Sequence, residues 1–297
     1  MFLDTNREDW ALLAHLRPRV ISMEAAFFDL DKTVIAKASV PAFGKTLYQE
    51  GLISRRLLLR AAVGHLLYLQ LGAGHNKLEK MRRSTLAVIR GWERDRIERI
   101  VREALSEVLE PIIYREALDL IEKHQSANRR VVIISSAPME IVRPLGDFLG
   151  VDDCIASRAS VDSNGRYTGD LDFYAYGQSK ADAIYEMAKE HDIDLSGSYA
   201  YSDSHTDMPM LEAVGNPVAV NPDKELMQSA RANKWSIKQF SHPMTMRDQR
   251  ALLRLRLATA LLIGAAALTA GSLLATWRLH HRADSIRKDL VKMVPGR

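Results

Sequence analysis

The sequence predicts an α/β protein, a parallel sheet with helices on both faces. Three observations carry the prediction. Short apolar runs alternate with helical stretches, each run ends in small polar or acidic residues, and a long helical insertion separates the first run from the second. The runs are Ala25–Phe28, Val131–Ile134, Tyr199–Tyr201 and Pro217–Val220. They stop at Asp29, at Ser135 and Ser136, at Ser202 and Asp203, and at Asn221 and Pro222. Helical patterning runs from Met139 to Leu149 and from Lys180 to Lys189. Ligands of such sheets bind at the carboxyl ends of the strands, so these distant polar residues are expected to meet at one edge.

The elements divide the chain as follows. Residues 1–23 read as a short amphipathic leader, helical around Trp10 to Leu16 and ending before Pro18. Asp4, Arg7, Glu8 and Asp9 break any apolar core there, so it does not read as a secretory signal. Residues 24–39 and 116–240 form the expected core domain. Residues 40–115 are an insertion, helical by pattern over Leu52 to Leu71, Lys77 to Ile89 and Arg94 to Leu109. A strand-to-strand crossover needs far fewer residues, so a helical cap over the active edge is expected. The stretch Leu57 to Leu71 is interrupted by charge or histidine at Arg60 and His65. It suits a helix buried in the cap, or a face that meets lipid or an apolar substrate.

Charge is uneven. The chain of 297 residues carries a formal net charge of +4. Residues 250–297 hold nine Lys and Arg against Asp284 and Asp289, so the excess of base belongs to the tail. No basic cluster interleaved with aromatic residues lies in the expected core, which argues against a nucleic-acid partner. The single cysteine, Cys154, rules out an intrachain disulfide and suits a reducing compartment.

Four groups of residues carry chemistry. Asp29-Leu30-Asp31-Lys32-Thr33 places two carboxylates just past a buried strand. Close carboxylates raise one another's pKa unless a cation intervenes. A hard divalent ion meets that need, and Mg2+ is the usual choice beside phosphate. Asp203 and Asp207 follow the third strand and add acceptors at the same edge, although either could serve as an ordinary cap or turn. Ser135 and Ser136 follow the second strand, where hydroxyls and free amides can grip a phosphoryl oxygen. Lys180 opens a helix and could neutralise charge on a transferring phosphoryl group.

In this order the four groups resemble the haloacid dehalogenase superfamily, and more narrowly its phosphoserine-phosphatase-like branch, subfamily IB. The resemblance covers about residues 24–225. It implies a Rossmann-like core, a Mg2+-dependent phosphatase and a small phosphomonoester substrate. It implies Asp29 as the nucleophile that becomes an aspartyl phosphate, with Asp31 as general acid and base. Thr33 then supports the first loop, Ser135 binds phosphoryl oxygen with Ser136 beside it, and Lys180 steadies the nucleophile. The metal would take the Asp29 carboxylate, the Asp31 backbone carbonyl and Asp203, with Asp207 close behind. Lys32 stands where phosphoserine phosphatases typically carry serine. Ala38 stands where they carry the glutamate that recognises the amino group of serine, so phosphoserine is a doubtful substrate. A phosphotransferase or mutase of the same fold, or a non-catalytic binding protein, are the alternatives.

Leu257 to Trp277 is a run of 21 residues without a charge, flanked by arginines on both sides. It is expected to be a C-terminal transmembrane helix, followed by a basic tail over residues 278–297. The expectation is a single-pass membrane protein with a cytoplasmic catalytic domain, for which an amphiphilic substrate is one option and a soluble metabolite the other. Ala260, Gly264, Ala267 and Gly271 fall on one helical face, where small residues would let two membrane helices form a homodimer. An unpartnered Ala-rich helix is the equal alternative.

Overall fold

The structure is a computed structural model, and it describes residues 23–54 and 83–243. Among the described residues seven strands form one sheet. In chain order they are β1 (Ala25–Phe28), β2 (Arg130–Pro138), β3 (Asp153–Val161), β4 (Tyr167–Phe173), β5 (Tyr199–Ser202), β6 (Asn216–Val220) and β7 (Ser236–Lys238). Their spatial order is β4-β3-β2-β1-β5-β6-β7. Every neighbouring pair is parallel except β3 and β4. All four residues of β1 are buried, as its unbroken apolar run requires of a strand covered on both faces.

Helices Ser39–Ala42 (α1), Gly44–Gln49 (α2) and Arg94–Val108 (α3) lie between β1 and β2, followed by Arg115–Ser126 (α4). Residues 83–89 of the same insertion are helical. Met139–Leu149 (α5) leads from β2 to β3, and Gln178–His191 (α6) leads from β4 to β5. Met208–Glu212 (α7) and Lys224–Ala232 (α8) alternate with the last strands. Helix α5 ends at Gly150, whose φ of 68° closes it with a left-handed cap. One core cluster joins Phe27, Val132, Ile134 and Ala200 of the sheet to Ile184, Leu211 and Leu226 of α6, α7 and α8. On the opposite face Phe28 stacks on Tyr201, with ring centroids 4.4 Å apart, beside the buried His124 of α4.

The parallel sheet and its helices match the fold class expected, with two additions. The β3–β4 hairpin and the edge strand β7 were not legible in the apolar runs. Strand β2 also continues past Ile134 to Pro138, with an irregular register between Ser135 and Pro138.

One part of the expected fold class is corrected. Among the described residues no helix is long and apolar enough to cross a membrane. The 15 residues of α3 would span about 22 Å at the usual helical rise, short of a bilayer core of about 30 Å, and α3 is rich in charge. The expected transmembrane helix and membrane location are withdrawn on that finding. Leu257 to Trp277, the face of Ala260, Gly264, Ala267 and Gly271, the basic tail and the leader lie outside the described residues. So does the apolar stretch Leu57 to Leu71.

Candidate active site

The carboxyl edge of β1, β2 and β5 gathers the predicted residues. Asp29 leaves β1 with its amide donating to the Tyr201 carbonyl at 2.9 Å, so the parallel ladder with β5 fixes its backbone. The chain then turns on itself. The Leu30 carbonyl accepts from the amides of Val34 at 2.9 Å and Ile35 at 3.0 Å. Lys32 sits at the top of this turn with a φ of 63°, a left-handed conformation that is uncommon outside glycine, Asn and Asp. Thr33 is fully buried beneath it, and its hydroxyl has no hydrogen-bond partner.

Lys180 crosses from α6 to meet this loop. Its side chain is 3% exposed. Its Nζ donates to Asp29 Oδ1 at 2.7 Å and to Asp207 Oδ2 at 2.8 Å. The hydroxyl of Ser202, at the end of β5, also donates to Asp207 Oδ2 at 2.7 Å. Gly177, just before α6, has φ 55° and ψ −124°, a conformation open in practice to glycine alone. That turn aims the first residues of α6 into the site.

Asp31 points elsewhere. Its Oδ1 accepts the Ser39 amide at the start of α1, at 2.9 Å. Asp203 lies on the next loop, 4.0 Å from the Lys32 ammonium. Ser135 is buried, and its Oγ accepts the Ala137 amide at 3.1 Å, which shapes the irregular end of β2. Ser136 is exposed, while its carbonyl accepts from the Ser157 hydroxyl at 2.8 Å. The geometry thus brings Asp29, Lys180 and Asp207 into direct contact. It sets Ser135, Asp203 and Asp31 around them on neighbouring strand ends and loops.

Two anchors were not singled out from sequence. Ser202 was read only as a strand terminus, yet its hydroxyl holds Asp207. Asp223 accepts the His205 amide at 2.9 Å and caps α8 by accepting the Leu226 amide at 2.8 Å. Its position just before a helix was a legible capping signal. Its second bond, to a loop 18 residues away, was not.

Electrostatics set the site's demands. Burial, followed by the nearby Asp207 and Asp203 charges, pushes Asp29 up to about 8 against the opposing pull of Lys180. Asp203 is pushed up to about 6, first by burial and then by Asp207 and Asp223, with Lys32 acting against them. Burial also raises Asp31, opposed by its bonds from Ser39. Lys180 is displaced upward overall, because its two carboxylate partners outweigh its burial. The buried Lys180 ammonium serves Asp29 and Asp207, and Asp203 faces the exposed Lys32 at 4.0 Å, so the three carboxylates are short of buried positive charge. Among the described residues no three His, Cys, Asp or Glu side chains are already drawn together to hold a metal. Asp29 and Asp203 are the carboxylates that would be open to a hard ion, whereas Asp207 Oδ2 already serves Lys180 and Ser202.

Known proteins resemble this chain over most of its length. A model of haloacid dehalogenase-like hydrolases matches residues 26–212. The chain is 47% identical over 261 residues to the inhibition of morphological differentiation protein of Streptomyces azureus, covering 86% of this chain and 93% of that one. It is 41% identical over 249 residues to a probable phosphatase of Mycobacterium tuberculosis, covering 84% and 86% of the two chains. Among solved structures, a Bordetella pertussis protein of unknown function shares the fold with a TM-score of 0.64. That likeness spans 73% of this chain and 98% of the other at 24% identity. The superfamily expected from the four motifs is the one found: the chain belongs to the haloacid dehalogenase-like hydrolase family.

Proposed function

We propose that the chain is a Mg2+-dependent phosphatase that hydrolyses a small phosphomonoester through an aspartyl phosphate on Asp29. The observation that carries this reading is the buried Asp29–Lys180–Asp207–Ser202 cluster at the carboxyl edge of the sheet. A relative named as a probable phosphatase supports it.

Asp29 is the nucleophile. Lys180, locked by Asp207, holds the Asp29 carboxylate in place and draws negative charge from the phosphoryl group it attacks. Asp207 acts as the anchor of Lys180, and Ser202 orients Asp207. Asp31 is the general acid and base. Its raised pKa lets it carry the proton the leaving oxygen needs, and it then accepts a proton from the water that cleaves the acyl phosphate. The Ser39 amide holds Asp31 within the first loop until substrate enters. Ser135, with the amides around it, binds phosphoryl oxygen, and Ser136 borders the entrance. Thr33, fully buried beneath the turn, supports the first loop by packing.

Mg2+ would be held by the carboxylates of Asp29 and Asp203 and by the Asp31 backbone carbonyl. It would supply the positive charge that lets an anionic carboxylate approach an anionic phosphate. The shortage of cations among the three carboxylates supports its presence. The described helices between β1 and β2 serve as part of a cap over this edge, with residues 24–39 and 116–240 as the core. Ala38 offers no carboxylate for an ammonium group, so the substrate is a phosphate ester without an amino group at that point.

The test is hydrolysis of para-nitrophenyl phosphate. Turnover that requires Mg2+, stops with a chelator and vanishes in Asp29→Asn is the expected result. Equal turnover in Asp29→Asn, or full activity in chelator, would overturn the proposal.

A further inference from the structure

A second cavity lies away from Asp29. Helix α4 covers the β1–β2 part of one sheet face, and past its edge the face opens into a groove of ≈760 Å3. Its lining includes the first residues of β5, β6 and β7, namely Tyr199, Asn216 and Ser236. Tyr199 is the amino end of β5, whose carboxyl end bears Ser202 and Asp203. The volume is that of a small-molecule pocket.

The floor is aromatic. Tyr199 and Tyr201 lie nearly parallel, 11° apart, and Trp235 joins them on the lining. The Arg129 guanidinium stands 4.9 Å from the centre of the Tyr199 ring, adding a charged plane. Around this floor stand Lys123, Lys234 and Lys238, against one acid, Glu212. Arg129 is matched by Glu24 at 2.6 Å. Among the described residues no ion pair joins the three lysines to an acid. Flat rings favour a planar guest, and the rim charge favours an anionic one.

We propose that this groove is a second ligand site, for a small planar anion such as an aromatic sulfonate, carboxylate or phosphate. It is separate from the catalytic edge. It touches that edge through Tyr201, whose ring stacks on Phe28 and whose carbonyl holds the Asp29 amide.

The test uses the full chain and anilinonaphthalene sulfonate as the probe, followed by fluorescence titration. This aryl sulfonate carries its sulfur on a ring carbon and has no ester bond to hydrolyse, so the readout is independent of catalysis. The double variant Lys123→Glu/Lys234→Glu alters two exposed side chains and leaves the aromatic floor unchanged. It should bind the probe about tenfold more weakly or worse, as expected when cations facing a bound anion are reversed. Lys189→Glu, an exposed change on α6, should bind as wild type does. Wild-type affinity should also fall as salt rises. A thermal midpoint for the double variant equal to wild type shows that it folds. A second double variant, Lys123→Gln/Lys234→Gln, repeats the measurement if charge reversal disturbs folding. Equal affinity in wild type and the lysine variants would overturn the site. So would absence of probe binding, the outcome if another segment of the chain or a second copy fills the groove.

Discussion

Replacing Lys180 with methionine keeps most of the side-chain volume and removes the charge. Two carboxylates then lose the one ammonium that contacts them among the described residues. Asp29 and Asp207 are 9% and 5% exposed at the side chain and lie 2.7 and 2.8 Å from Nζ, so water does little to screen the loss. Breaking a buried pair of this kind costs about 3–5 kcal/mol. The sign depends on pH. Without the cation Asp29, already at about 8 in wild type through burial, is pushed further up. A carboxylate raised on folding contributes stability that is lost as pH rises through its folded value, so in the variant that loss continues past pH 8, where wild type levels off. The deficit relative to wild type should therefore grow from pH 8 to pH 9.5. Urea denaturation in chelator at both pH values measures it. A fold of ordinary stability survives the loss, so the transition stays measurable. A deficit under about 1 kcal/mol at pH 9.5, or one no larger than at pH 8, would refute the assigned role of this charge cluster.

Other outcomes follow from the same structure. Asp31→Asn should cut para-nitrophenyl phosphate turnover by about a hundredfold or more while leaving Mg2+ binding intact, as loss of a general acid and base does; calorimetric titration with Mg2+ separates the two effects. The His124 ring is buried and donates to or accepts from the Tyr201 hydroxyl at 2.7 Å. Burial, then Arg129 and Lys123, lowers its pKa to about 4 from 6.5. The unfolded chain therefore binds the proton first as pH falls, and stability should drop by about 3 kcal/mol between pH 6.5 and pH 4. Urea midpoints for wild type and His124→Gln across that range test this, since the variant should lose that portion of the slope. A Cβ at Gly215 would lie 1.9 Å from the Ser196 carbonyl oxygen. Gly215→Ala should thus cost about 1–3 kcal/mol, read by denaturant unfolding, with Mg2+ binding unchanged.

The parts of the fold that could be read from sequence are those with a one-dimensional signature. Strand β1 is an unbroken apolar run, and Asp29 sits one residue past its end. Helix α5 was read with its observed bounds, Met139–Leu149, because apolar spacing and Gly150 mark both the face and the stop. The β3–β4 hairpin was missed because its residues are mostly half-exposed and polar, as in Tyr167–Phe173. Its turn did carry a signal in Asp162, whose Oδ1 accepts the Asn164 and Arg166 amides ahead of Gly165. The reading of Leu257 to Trp277 rested on composition alone. A run of alanine and leucine satisfies the length rule for a membrane span, but does not distinguish that fate from others.

The site was legible as a set of residue types at strand ends. The partners within it were not. No spacing rule tells that Asp207 turns toward Lys180, that Ser202 holds it there, or that Asp31 rests on the amide of Ser39. Those contacts join residues up to 151 positions apart, as for Lys180 and Asp29, and only the parallel ladder of β1 with β5 and the glycine turn before α6 set them.

The central claim is covalent chemistry at one carboxylate. Rapid acid quench of the Mg2+-loaded enzyme with para-nitrophenyl phosphate, followed by peptide mass spectrometry, tests it most directly. A phosphoryl adduct on Asp29 that is absent from Asp29→Asn and accumulates in Asp31→Asn is the predicted result. An adduct on any other residue, or turnover with Asp29 never modified in either protein, would contradict the account.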